Sequence, residues 1–132
     1  MAQFLLIAVL SVGIVNIPAV AQAPIQKHIR LALAPKAYAL TKVANRAEFA
    51  CLSALWTRES HWNPKALNKS SGAFGIAQFM PSTWGNYNFP YKPKDPHIQI
   101  DAGLRYILKR YGTPCKAWAF WQRQAQRGSG WY

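Results

Sequence analysis

Acidic residues are scarce in this chain. Its 132 residues include four, Glu48, Glu59, Asp95 and Asp101, against sixteen Lys and Arg, for a net charge of +12. Each carboxylate can therefore be accounted for singly. Cysteine is scarce too: Cys51 and Cys115 are the two present, with no Cys-x-x-Cys, and His28, His61 and His97 are scattered. That spacing argues against a metal site, and no cofactor is expected. Strand-like alternation and internal repeats are both missing, which leaves a mainly α chain. Its length allows one small domain.

What is abundant is positive charge and aromatic surface. A net +12 points to a polyanionic partner: nucleic acid, anionic lipid or an anionic cell wall. Six Trp, six Tyr and six Phe are many for this size. Most are expected to fill the core, and some can stack on flat ligands. The opening "MAQFLLIAVLSVGIVNIPAVAQAP" is uncharged and almost wholly apolar from residue 4 to 20, with Pro18 near its end and a small–x–small "AVA" at 19–21. Residues 1–21 are expected to be a cleaved export signal, an uncleaved anchor being the alternative. An exported chain with an even cysteine count suggests a Cys51–Cys115 disulfide, two buried free thiols being the alternative.

Residues 22–40, with two prolines and irregular apolar spacing, are expected to form a linker or loosely packed N-terminal arm, and 41–132 the domain. "TKVANRAEFACLSALWTRES" has helical spacing. Pro81 suits the first turn of a short helix. Asp95 followed by Pro96 looks like an N-cap with proline at the first helical position, and Gly112 like the stop. Between them Ile100, Leu104, Ile107, Leu108 and Tyr111 make the expected apolar stripe. "PCKAWAFWQRQAQR" can be a last helix.

One carboxylate stands out. Glu59 follows Leu52, Leu55 and Trp56 by seven, four and three residues, so it shares their helix face. It also lies at the helix's C-terminal end, where the dipole disfavours negative charge. Both the dipole and partial burial raise a carboxyl pKa, which suits a general acid. The plainer alternative is a Glu paired with Arg58 on an exposed helix end. Two-carboxylate glycosidases need a partner about 5–9.5 Å away. Glu48 is eleven residues back, about 16 Å by helix rise. Asp95 is taken as a cap, and Asp101 is expected to pair with Arg105 on the surface. A single-acid enzyme must draw its second function from the substrate, as glycosidases assisted by a sugar's N-acetyl group do.

The segment "ESHWNPKALNKSSGAFGIAQFMPSTW" resembles the signature of the soluble lytic transglycosylase family, relatives of goose-type lysozyme. The matches are Glu59-Ser60, Trp62-Asn63-Pro64, Gly72-Ala73-Phe74-Gly75, Gln78 and Met80-Pro81-Ser82-Thr83. Gly103 and Tyr106-Ile107 in "QIDAGLRYIL" resemble the family's second motif. The resemblance runs from residue 45 to about 121. It implies a small lysozyme-like helical fold with a substrate groove. It implies cleavage of the β-1,4 bond between N-acetylmuramic acid and N-acetylglucosamine in peptidoglycan, with a 1,6-anhydro product.

Glu59 would be the catalytic acid. Gln78 would line the sugar groove, Gly72 and Gly75 would let the backbone approach the sugar, and Asn68, Ser70 or Ser71 would supply a polar contact from the preceding loop. Phe79 and Trp84 would wall the groove or pack in the core. Where the family has Ala-Tyr-Asn, its tyrosine contacting the acid, this chain has "AWAFWQRQ". Either Tyr106 serves instead, or Phe120 and Trp121 close the groove. A water entering would make the enzyme a hydrolase, and a silent cell-wall-binding protein is the non-enzymatic alternative.

The basic residues, spread from Lys27 to Arg127 without a reader motif, argue against nucleic acid. The expected partner is the peptidoglycan glycan strand. A monomer is expected, secreted, periplasmic or cell-wall associated, without stable membrane association once the signal is removed.

Overall fold

The computed structural model describes residues 33–128; the expected export segment, 1–21, and the first part of the 22–40 arm lie outside them. Five helices follow one another: α1 Pro35–Leu40, α2 Arg46–Ser60, α3 Pro81–Asn86, α4 Pro96–Tyr111 and α5 Pro114–Gln126. Four of them begin with proline at the first helical positions, where no N–H is missed. The described residues contain no strand beyond two isolated bridges, Leu67–Phe74 and Phe74–Phe79, which pinch the loop between α2 and α3. None of their helices is long and apolar enough to cross a membrane.

Side-chain caps set the boundaries. Asn45 accepts from Glu48 N–H at 2.9 Å, so α2 starts five residues later than the helical spacing from Thr41 suggested. Asp95 accepts from His97 N–H at 2.8 Å and Gly112, at φ 86°, ends α4, both as expected. Thr113 accepts from Lys116 N–H at 3.3 Å to open α5.

The end of the expected arm is not loose. In α1, Tyr38 and Ala39 are buried in the core. The Tyr38 ring packs against buried His97 at 4.4 Å, and its hydroxyl donates to Asp101 at 2.7 Å. Asp101 thus serves α1, while Arg105, its expected partner, lies over Phe89 and reaches the Tyr87 carbonyl at 3.5 Å.

The α2 face is as expected: Leu52, Leu55 and Trp56 are fully buried. The α4 stripe needs correction. Leu108 is 68% exposed, and the buried line runs through Gln99, Ile100, Ala102, Gly103 and Ile107. Gly103 is the reason. A Cβ there would lie 2.6 Å from Trp56 Cζ2, so the glycine is the notch that admits the tryptophan. Large side chains mark an apolar stripe, but here the closest packing is at the residue without one.

The Cys51–Cys115 disulfide forms, with Cα atoms 4.9 Å apart, and clamps α5 against α2. Beside it Glu48 accepts from Cys115 N–H at 2.8 Å, satisfying a free donor at the start of α5.

Candidate active site

Glu59 stands one residue before the end of α2, half-buried, on the same face as Leu52, Leu55 and Trp56. The chain then turns sharply: His61 and Trp62 both have positive φ, 53° and 62°. Ser60, buried, donates its hydroxyl to the Ile76 carbonyl at 2.7 Å. That bond staples the returning loop to the helix end beside Glu59.

Gln99 fixes the rest of the loop. Fully buried, it donates to the carbonyls of Pro64 at 2.9 Å and Pro93 at 2.8 Å and accepts from Ile76 N–H at 2.9 Å. Gly75 exists for this contact, because a Cβ there would lie 2.5 Å from Gln99 Oε1. The space beside the Gly75 Cα is taken by the Gln99 side chain. Nothing in the local pattern distinguishes Gln99 from a surface glutamine; a polar residue flanked by Ile98 and Ile100 was the available hint.

The cavity containing Glu59 has a volume of about 220 Å³ and is lined by Ala77, Gln78, Phe79, Met80, Thr83, Tyr106 and Arg110 besides Glu59 itself. Three expected site residues, Gln78, Phe79 and Tyr106, thus meet Glu59 there. Gln78 has φ 51°, a strained value for a non-glycine residue. Its amide N–H groups go to the Gly75 carbonyl at 2.9 Å and the Ala66 carbonyl at 3.3 Å, which leaves Oε1 as the available acceptor. Phe79, 4% exposed, packs on Trp84 and Tyr106, each at 5.1 Å, so it is both wall and core. Trp84 is fully buried and belongs to the core.

Ser71 and Gly72 are not among the residues lining this cavity. Ser71 Oγ accepts from Ala73 N–H at 3.2 Å, and Gly72, at φ 77°, offers its carbonyl to the Tyr91 hydroxyl at 3.2 Å. Asn68 organises the same turn, its Oδ1 accepting from Ser70 Oγ and from the N–H groups of Ser70 and Ser71.

Two larger hollows lie elsewhere. One, about 490 Å³, is lined in part by Val43, Leu104 and Leu108; its two carboxylates are already engaged, Glu48 with Cys115 N–H and Asp101 with Tyr38. The other, about 580 Å³ around Phe49, Arg58 and Trp118, has no carboxylate in its lining. The chemistry therefore points to the smaller cavity.

Trp121 is the residue that contacts the acid. Its Nε1–H donates to Glu59 Oε1 at 3.0 Å, across 62 residues of sequence. The indole is itself held, stacked on Trp118 at 5.2 Å and with the Arg58 guanidinium over its ring at 5.9 Å. Arg58 is thus engaged with Trp121. Burial pushes the Glu59 pKa up to about 7, and the Trp121 hydrogen bond offsets part of the rise. Tyr111, near the same cluster, is pushed well above the usual tyrosine range, by burial first and by neighbouring Tyr106 next. Among the described residues no group of His, Cys, Asp and Glu could hold a metal ion.

A small helical domain with one half-buried carboxylic acid in a cleft of aromatic and polar side chains defines the lysozyme-like class. Within that class the chain belongs to the Transglycosylase SLT domain family, whose model matches residues 38–121. The match begins at Tyr38, inside α1, and ends at Trp121. This is the domain of peptidoglycan lytic transglycosylases. No curated protein and no solved structure matches the chain.

Proposed function

We propose that the protein cleaves the β-1,4 bond between N-acetylmuramic acid and N-acetylglucosamine in peptidoglycan, without water, leaving a 1,6-anhydro end. The observation that supports this most directly is Glu59, a carboxyl whose pKa is pushed up to about 7, in the cavity it shares with Gln78, Phe79 and Tyr106. Near neutrality such a group holds its proton in a substantial share of molecules and can still release it.

Glu59 gives that proton to the glycosidic oxygen as the bond to the muramyl C1 breaks. The sugar's N-acetyl oxygen stabilises the cation at C1. Glu59, now a carboxylate, takes the proton from the muramyl 6-hydroxyl, and O6 closes on C1. Proton and charge balance with one side chain, which suits a chain whose other three carboxylates are a cap and two hydrogen-bond acceptors elsewhere.

Trp121 orients the acid. An indole N–H can only donate, so it occupies Oε1 and leaves Oε2 to carry the transferable proton. Gln78, with Oε1 available, accepts from a sugar hydroxyl or amide. The enzyme works as a secreted, periplasmic or wall-associated monomer after its leader is removed. Its positive charge concentrates it on the anionic wall in a salt-dependent way.

The test is a zymogram on embedded cell wall followed by mass spectrometry of the released fragments. Clearing by the wild type, none by Glu59→Gln, and anhydro ends are expected. Reducing ends would make it a lysozyme-type hydrolase, and no clearing by either a silent binding protein.

A further inference from the structure

The Glu59 cavity holds a cation that the acid–base chemistry does not use. Arg110 sits in the last turn of α4, exposed, and lines the cavity with Glu59 and Gln78. Its NH1 donates to the Tyr106 hydroxyl at 2.7 Å, and its guanidinium lies over the rings of Tyr106 and Tyr111 at 5.6 and 5.5 Å. The group is thus held in place at the edge of the cavity. Guanidinium has five N–H donors, and that bond uses one.

Two ordinary roles fall short. Among the described residues, which include all four carboxylates, none forms an ion pair with Arg110. Nor is it bonded to the acid, whose side-chain hydrogen bond comes from Trp121. What remains is an oriented cation with donors to spare, in a cavity too small for a whole ligand and suited to one unit of a chain. At about 220 Å³ it is below the usual range of roughly 300–1,000 Å³ for small-molecule sites.

We propose that Arg110 recognises a carboxylate carried by the muramyl unit of the glycan and so sets which sugar sits beside Glu59. This rests on the peptidoglycan reading above. The two sugars alternate along the strand and differ by one substituent, the lactyl ether on the muramyl ring. Where the peptide stem has been removed, that ether ends in a free carboxylate. Where the stem remains, the stem brings carboxylates of its own. N-acetylglucosamine has neither. A planar guanidinium can take a carboxylate through two parallel N–H bonds, which a lysine cannot reproduce. A strand displaced by one sugar would place a neutral unit against Arg110 and forfeit that pairing. Charge recognition would thus select one of the two alternating β-1,4 bonds.

The test uses the Glu59→Gln chain, which binds without turnover, with and without Arg110→Met or Arg110→Lys. Methionine keeps an apolar stem against Tyr106 and Tyr111. Dissociation constants are measured for three ligands: stem-free glycan strands, stem-bearing strands and a neutral N-acetylglucosamine oligomer. Arg110→Met should lower the preference for acidic over neutral glycan about tenfold or more, the loss expected for a hydrogen bond to a charged group. Arg110→Lys should recover it only partly. Added salt should weaken acidic-glycan binding more with Arg110 present than with methionine. A change confined to stem-free strands identifies the lactyl carboxylate as the ligand, and one confined to stem-bearing strands identifies the stem. If acidic and neutral affinities fall by the same factor, Arg110 only props Tyr106 and the proposal is wrong. Failure of the peptidoglycan reading shows elsewhere, as absence of clearing by the wild type.

Discussion

Whether a carboxyl can act as an acid depends on what surrounds it, and at Glu59 two opposed causes set the balance. Burial raises its pKa and the Trp121 N–H lowers it, leaving about 7. On the proposed mechanism activity requires the protonated form, so it should hold below that value and fall as pH rises through it. Trp121→Phe removes the lowering contribution. The alkaline limb of the pH–rate profile should then move up, while the rate falls roughly 10- to 100-fold from lost orientation. A limb that stays put would show that Trp121 does not control the acid. Stability has its own signature. A carboxyl whose folded pKa lies above its unfolded value binds more protons when folded, so its contribution is fully present below about 4.5 and is lost as pH rises through about 7. Glu59→Gln escapes this loss. Its melting temperature should gain on the wild type between pH 5 and pH 8, and a constant difference would contradict the assigned shift. Glu59 itself was legible in the sequence, because helical spacing placed it on an apolar face. Trp121 was not, because its bond to Glu59 depends on how α5 docks 62 residues later.

Among the elements, α4 shapes the site through residues that a hydrophobic pattern undervalues. Its ends were legible, since Asp95-Pro96 and Gly112 are local signals. Its buried face was not, because Gly103 and Gln99 owe their importance to partners on other segments. Gly103 makes room for Trp56, which shares the α2 face with Glu59. In Gly103→Ala a Cβ would meet Trp56 at 2.6 Å and the Ala77 Cβ at 3.2 Å, and neither fully or nearly buried neighbour has room to retreat. Alanine's better helix propensity recovers about 1 kcal/mol, against overpacking of about 1–3 kcal/mol. A net loss is expected, read as a lower denaturant midpoint, with activity reduced as well because Ala77 lines the cavity. Gln99→Leu should cost more. It leaves Ile76 N–H and the Pro64 and Pro93 carbonyls without their partner, at about 1–3 kcal/mol for each buried group. A melting temperature within a degree of the wild type would rule out this role for Gln99.

For the molecule as a whole, the critical connection is between α2, which bears the acid, and α5, which bears the residue that holds it. The Cys51–Cys115 bridge joins them over a sequence separation of 64, and Trp121 follows Cys115 by six residues on the same helix. The cysteine count made the bridge readable, but not that it ties the helix bearing Glu59 to the helix bearing Trp121. Closing a loop of that length contributes about 4 kcal/mol in the chain-entropy model, against a total of about 5–15 kcal/mol for a small domain. The double variant Cys51→Ala/Cys115→Ala should therefore unfold at a much lower denaturant concentration. Stability and alignment can be separated by assaying at low temperature, where circular dichroism shows the variant still folded. If the bridge only stabilises, activity per folded molecule will match the wild type. If it also holds α5 in register with α2, the folded variant will show the slower rate and raised alkaline limb expected of Trp121→Phe. We expect the second outcome, because among the described residues the Glu48–Cys115 N–H bond and the Cys115 Sγ contact with the Ala47 carbonyl lie at that same junction and lose their geometry with the bridge.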